Sequence, residues 1–170
     1  MKILFIGKKD SGKSSLLYAL LKNCKCGGIL CLPVFENGKK IGTDAIDMYN
    51  KERKIFSRLK QIANFEGIET EYYKISFEGI KFCINAVEKA LEKCKLIVID
   101  EFGVLERDKK GLYNVFKKSL KSKKDVIVII RKELEEEFLK EFPYEFEKIY
   151  VGLDCISQGF NDTFKNQNFL

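Results

Sequence analysis

The sequence predicts an α/β domain built on a mostly parallel sheet. Three observations carry that prediction. Short, largely apolar runs of strand length stand at Lys2–Ile6, Leu96–Ile99 and Val126–Ile130, the pattern of strands covered on both faces. Helical periodicity follows each of them, so strand and helix alternate along the chain. The octapeptide Gly7-Lys8-Lys9-Asp10-Ser11-Gly12-Lys13-Ser14 sits between the first apolar run and the first helical stretch, where an α/β sheet makes its tight strand-to-helix turn.

The elements follow in order. Leu16, Leu17, Leu20 and Leu21 recur at helical spacing and predict a helix from Lys13 to Asn23, stopped by Cys26-Gly27-Gly28. Ile29–Phe35 and Ile41–Tyr49 read as two strands joined by the hairpin turn Glu36-Asn37-Gly38-Lys39, Asn-Gly being the dipeptide that most readily takes positive φ at both turn positions. Between Lys51 and Phe65 the spacing of Ile55, Phe56, Leu59 and Ile62 suits a helix, although charge is dense and caps are few. Ile68–Ile75 is extended. Ser76 caps a helix with Glu78 in its first turn and a stripe of Ile80, Cys83, Ile84, Val87 and Leu91. After the strand at Leu96–Ile99 come a helix near Lys109–Leu120, the strand Val126–Ile130, a helix near Lys132–Lys140 and a strand near Lys148–Val151. The remainder, Gly152–Leu170, is polar with Phe160, Phe164 and Phe169 spaced through it, a tail that docks or frays.

Composition bounds the function. The 170 residues, 45% hydrophobic and 33% charged, suit one domain with a substantial core. No apolar run approaches the ~20 residues of a membrane span and no signal-peptide pattern precedes the first strand, so a cytoplasmic protein without membrane association is expected. The six cysteines, Cys24, Cys26, Cys31, Cys83, Cys94 and Cys155, then read as reduced thiols and small apolar residues. Cys24, Cys26 and Cys31 lack the paired spacing of a structural zinc site. The chain has no histidine, which removes Ser-His and Cys-His nucleophilic catalysis and leaves carboxylates as the leading candidates for a base.

The octapeptide fits G-x-x-x-x-G-K-[ST] at every fixed position. A strand that turns sharply into a helix leaves backbone N–H groups without intrahelical partners, and with the positive end of the helix dipole they surround an anion. Gly7 and Gly12 keep side chains away from phosphates, Lys13 sets its ammonium against the β and γ phosphates, and the Ser14 hydroxyl takes one position on a bridging Mg²⁺. Lys8, Lys9, Asp10 and Ser11 complete the cradle, and Ser15 continues the helix. Asp10 is repulsive there unless it turns outward or pairs with Lys8 or Lys9. Open parallel sheets bind ligands beyond the carboxyl ends of their strands, which also places Asp100 and Glu101, after Ile99, at the phosphates. In that position Asp100 holds the Mg²⁺ and Glu101 orients or deprotonates the attacking water.

Asp100-Glu101-Phe102-Gly103-Val104-Leu105-Glu106 resembles the D-E-[IF]-G-x-[ML]-E segment of the small THEP-type nucleoside-triphosphatases, the group that includes the cancer-related nucleoside-triphosphatases. Gly28 before an apolar strand, Glu36-Asn37-Gly38-Lys39-Lys40-Ile41-Gly42 as an N-G-[RK]-[RK]-[VI]-G hairpin, and Tyr73-Lys74-Ile75-Ser76-Phe77-Glu78 agree in the same order. The resemblance covers Met1 to about Val151. It implies a three-layer P-loop NTPase with a RecA-like core and a β-hairpin insertion after the first helix, and Mg²⁺-dependent hydrolysis of ATP or GTP with loose base selectivity. It assigns the phosphate loop to Gly7–Ser14, metal contact to Ser14 and Asp100, the base to Glu101, and a basic role near the γ-phosphate to Arg131. The chain departs from the family pattern at Asp10, where glycine is usual, and at Cys31-Leu32-Pro33, which replace T-x-E.

Rival readings have less behind them. A Ras-like GTPase would share Asp100-x-x-Gly103 but needs N-K-x-D, and Asn50-Lys51-Glu52 ends in Arg53. A nucleotide or nucleoside kinase needs an arginine-rich lid, and the chain has only Arg53, Arg58, Arg107 and Arg131. A nucleotide-dependent nucleic-acid-binding or regulatory module with slow hydrolysis would draw on Lys109, Lys110, Lys117, Lys118, Lys121, Lys123 and Lys124 and the net charge of +6, yet a basic run is more often a solvated helix face. The expected partner is a nucleoside triphosphate, and the expected state a monomer.

Overall fold

The computed structural model describes residues 1–152, with Glu101 and Val104 described by their backbone alone. The phenylalanine-bearing tail and Cys155 lie outside the described residues. Fourteen elements follow one another: β1 (Lys2–Gly7), α1 (Lys13–Leu21), β2 (Cys26–Glu36), β3 (Lys39–Asp47), β4 (Arg53–Leu59), β5 (Gly67–Glu69), β6 (Tyr73–Ser76), α2 (Phe77–Lys93), β7 (Leu96–Phe102), α3 (Val104–Arg107), α4 (Tyr113–Lys121), β8 (Asp125–Arg131), α5 (Glu135–Glu141) and β9 (Glu147–Val151). A single 3-10 turn, Lys132–Leu134, precedes α5.

Among the described residues the strands form one nine-stranded sheet in the order β5-β6-β4-β3-β2-β7-β8-β1-β9. From β2 to β9 every neighbouring pair is parallel. On the other side of β2 the pairs are antiparallel, beginning with the β2–β3 hairpin. The all-apolar strands alternate strictly between two cores. Leu4, Ile6, Ile97, Ile99, Val126, Val128 and Ile130 face α2, α4 and α5, and Ile3, Phe5, Leu96, Val98, Ile127 and Ile129 face α1. Both faces are covered, so no polar position survives in these runs. Helices on both sides of the sheet give three layers.

The α2 stripe is rotated from the one the spacing predicts. Its buried residues are Gly79, Cys83, Ala86, Val87 and Ala90. The helix lies too close to the sheet for large residues: a Cβ on Gly79 would stand 2.5 Å from the Ile55 carbonyl oxygen, and one on Gly27 would stand 2.7 Å from Ala90 Cβ. Small side chains therefore face inward, while Ile80, Ile84 and Leu91 pack at the margins. In α1, likewise, Leu17 and Leu21 are buried and Leu20 is exposed.

Three local expectations fail, each for its own reason. The segment whose spacing suits a helix, Lys51–Phe65, holds β4, which pairs with β3 on one side and β6 on the other. Ladder bonds on both edges outweigh a weak helical pattern with few caps. The single extended stretch Ile68–Ile75 is two short strands, because the Thr70 N–H and hydroxyl both donate to the Tyr73 carbonyl, at 2.8 and 2.9 Å, and fold the chain back. The helix expected from Lys109 starts later, at Tyr113, since Lys109 and Gly111 take positive φ, 58° and 57°.

The exposed edge of the parallel half is β9, tied to α5 through one buried carboxylate. Glu135 accepts from Tyr150 Oη at 2.8 Å and pairs with Lys148 at 3.0 Å and with Lys132. Burial alone would raise its pKa, but the hydrogen bonds from Lys132, Tyr150 and Lys148 outweigh that and hold the carboxyl at about 2, against an ordinary value of 4.5. A depressed carboxyl contributes stability above its unfolded pKa and loses it as pH falls toward the folded one. Thermal unfolding midpoints measured from pH 6 down to pH 2 should therefore fall between about 4.5 and about 2, and Glu135→Gln should lower the neutral-pH midpoint and flatten that acid limb.

Candidate functional site

The parallel register brings the predicted residues to one edge of the sheet. Gly7, the last residue of β1, is paired with Arg131, the last of β8, and with Val151 of β9. Asp100 lies opposite Ile129 near the end of β7. All of these strands point the same way, so Gly7, Asp100 and Arg131 occupy their carboxyl ends together.

Gly7–Ser14 forms the turn between β1 and α1. Gly12 takes the left-handed conformation, φ 79°, as the residue preceding α1. No side chain caps the helix there and no acidic residue stands in its first turn, so the positive end of the dipole is open to an outside anion. Gly7 is needed for space. A Cβ on it would stand 2.7 Å from the Val151 carbonyl oxygen, 2.8 Å from Ser11 Oγ and 3.1 Å from Lys13 Cδ. The Lys13 side chain is buried, and its ammonium donates to the Lys8 carbonyl at 2.7 Å. Ser11 Oγ is buried with no hydrogen-bond partner among the described residues. Lys8, Lys9 and Ser15 are exposed, and Ser14 is half-buried in the first turn of α1.

Asp10 turns outward, as expected, but its partner is neither Lys8 nor Lys9. It takes φ 56° and accepts from Lys40 Nζ at 2.6 Å, across from the β2–β3 hairpin. The hydrogen bond from Lys40, opposed in part by burial and supported by the charges of Lys40, Lys9 and Arg131, holds its carboxyl below the ordinary 3.8. Adjacent residues in a tight turn diverge, whereas the hairpin tip folds back over the loop.

Asp100 is the buried carboxylate of the site, and its Oδ2 accepts from the Cys31 backbone N–H at 2.9 Å. Cys31 follows Ile29 and Leu30, and Ile29 is the last residue of β2 paired with β7. The strand thus continues past its ladder and gives the next N–H to a side chain. The β7–β8 register shifts between Asp100 and Phe102, leaving Glu101 as the inserted residue of a bulge. Phe102 then enters the core, with ring centroids 5.1 Å from Phe138 and 6.0 Å from both Phe116 and Phe142.

Sequence reasoning missed Cys31 and Lys40, because one acts through its backbone and the other through a contact thirty residues distant. It also gave no work to Glu106. That buried carboxylate accepts from the Gly103 N–H at 3.0 Å and from the Leu112 N–H at 2.9 Å, closing the turn after β7. Among the described residues no group of three or more His, Cys, Asp or Glu side chains could hold a metal ion. Cys26 is buried and its thiol is pushed up to about 11, chiefly by burial.

The donor set fits Mg²⁺. One hydroxyl, Ser14, and one buried carboxylate, Asp100, at a shared edge suit a hard ion that keeps several waters and takes its other ligands from phosphates.

A family model described as NTPase matches residues 2–154. The nucleoside-triphosphatase THEP1 of Thermotoga sp. (strain RQ2) is 31% identical over 135 residues, covering 78% of this chain and 75% of that protein. The protein of the same name from Korarchaeum cryptofilum is 33% identical over 112 residues, 62% of this chain, and the match spans 55% of that protein's length. Among solved structures, THEP1 from the hyperthermophile Aquifex aeolicus superposes with a TM-score of 0.72 at 20% identity, covering 90% of this chain and 91% of that one. This last likeness shows a shared P-loop fold.

Glu106→Gln keeps the volume and exchanges one acceptor oxygen for a donor facing an N–H. Urea unfolding should show a loss of about 1–3 kcal/mol, the usual cost of an unsatisfied buried donor.

Proposed function

Because the chain belongs to the NTPase family, we propose that it hydrolyses nucleoside triphosphates, ATP or GTP among them, to the diphosphate and phosphate with Mg²⁺. The single observation behind this is the uncapped start of α1, with its left-handed Gly12 and Cβ-excluding Gly7, set at the same sheet edge as Asp100.

The chain's own groups supply the following steps. The loop amides and the α1 dipole bind the β and γ phosphates. Lys13 exchanges its contact with the Lys8 carbonyl for phosphate oxygens, stabilising charge as the terminal phosphoryl leaves. Ser14 and Asp100 would hold Mg²⁺, which neutralises phosphate charge and aligns the leaving oxygen. Glu101 takes a proton from the attacking water or orients it for in-line attack. Arg131, beside Gly7 in the ladder, adds positive charge at the phosphates. Its pairing with Gly7, the first residue of the loop, supports this reading.

The alternatives gain little support. Arg58 is engaged with Asp44 at 2.6 Å and Arg107 with Glu137 at 2.7 Å, which leaves few arginines for a kinase lid. Of the lysine cluster, Lys124 donates to the Cys94 carbonyl and Lys118 pairs with Glu88. Among the described residues no helix is long and apolar enough to cross a membrane.

Phosphate release with ATP, GTP, CTP and UTP tests the proposal. Lys13→Ala should abolish measurable binding and turnover. Glu101→Gln should leave nucleotide binding intact and lower kcat by roughly 100-fold or more, the usual contribution of a general base. Unchanged turnover in Glu101→Gln assigns the base elsewhere.

A further inference from the structure

The β2–β3 hairpin touches both halves of the site. Near its base the Cys31 N–H holds Asp100, and near its tip Lys40 reaches Asp10. Lys40 pairs with Phe35 across the hairpin, so the two anchors stand about 13 Å apart along the strand at ~3.3 Å per residue. The hairpin therefore spans the path from the metal-side carboxylate to the phosphate loop.

Asp10 is an unusual occupant of that path. Its φ of 56° lies in the left-handed region, which among residues other than glycine favours Asn and Asp. Its carboxylate presents Lys40 with an anionic oxygen, Oδ1, as a phosphate would. The pair is partly exposed, at 28% for Lys40 and 56% for Asp10, and an exposed pair of this kind contributes little net stability. A terminal phosphate carries more charge and more acceptor oxygens than a carboxylate, and charge-assisted hydrogen bonds to it are strong.

We propose that Lys40 is the cation that recognises the terminal phosphate of a bound triphosphate, and that Asp10 is an internal surrogate holding Lys40 until the nucleotide displaces it. The proposal rests on the triphosphatase reading and adds to it the discrimination of triphosphate from diphosphate. A diphosphate lacks the group that Lys40 seeks, so after hydrolysis the lysine returns to Asp10 and product affinity falls. The Asp10 side chain acts on nucleotide only through Lys40, as a positioning group.

Calorimetric titration of the wild type, Lys40→Met, Lys40→Arg and Asp10→Asn with a β,γ-imido triphosphate and with ADP, each with Mg²⁺, tests this. Lys40→Met should weaken the triphosphate analogue about tenfold, the equivalent of one charge-assisted hydrogen bond, and ADP by less than about twofold. Lys40→Arg should keep the discrimination. Asp10→Asn, which tolerates the left-handed backbone, should tighten the triphosphate analogue about threefold by removing the competitor. Equal weakening of both nucleotides by Lys40→Met, or no weakening of either, overturns the proposal, provided circular dichroism shows the variant folded. If Lys40→Met is misfolded, Asp10→Asn decides, and unchanged triphosphate affinity in it overturns the proposal. Wild-type protein that binds neither nucleotide overturns the triphosphatase reading itself, and the role of Lys40 with it.

Discussion

The parallel alignment of β1, β8 and β7 is the constraint on which the site depends. Each strand is apolar on both faces, and burying side chains such as Leu4, Phe5, Ile99 and Ile129 contributes about 1.5–3 kcal/mol apiece. A slip of one residue in any of these strands would exchange its two faces and separate Gly7 from Arg131 and Asp100 from the loop. The hydrophobic alternation that holds the sheet together is therefore also what gathers the polar residues at its edge. Phe102 reinforces this by locking the end of β7 among Phe116, Phe138 and Phe142, directly after the Asp100–Glu101 pair.

A second layer of control comes from backbone groups acting on side chains. The Cys31 N–H fixes Asp100, and Glu106 satisfies the N–H groups of Gly103 and Leu112. Such bonds are indifferent to the identity of the donating residue, so the support that Cys31 gives Asp100 does not depend on its side chain. They also hold the turn after β7 in one arrangement, the pre-organisation that lets an electrostatic site act without reorganising.

Much of this was legible in the sequence because the signals are local. The loop motif, the Asn-Gly turn, the Ser76 cap, which accepts from the Gly79 N–H at 3.1 Å, and the all-apolar strands each depend on residues within one element. What was hidden depends on partners brought from elsewhere. β4 is a strand because β3 and β6 flank it; α2 turns its small residues inward because the sheet lies close; Asp10 meets Lys40 because a hairpin folds over the loop. No window of sequence contains those neighbours. The family resemblance, in turn, marked Asp10 as a departure from the usual glycine but could not supply its partner, because Lys40 lies on another element.

The account stands or falls on where a triphosphate tail sits. A crystal structure with Mg²⁺ and a non-hydrolysable triphosphate analogue is the most direct measurement. The expected result has the β and γ phosphates among the amides of Gly7–Ser14, the Lys13 ammonium moved from the Lys8 carbonyl onto phosphate oxygens, and a magnesium ion between Ser14 and Asp100. An analogue seated elsewhere, with Lys13 still bonded to Lys8, would contradict it.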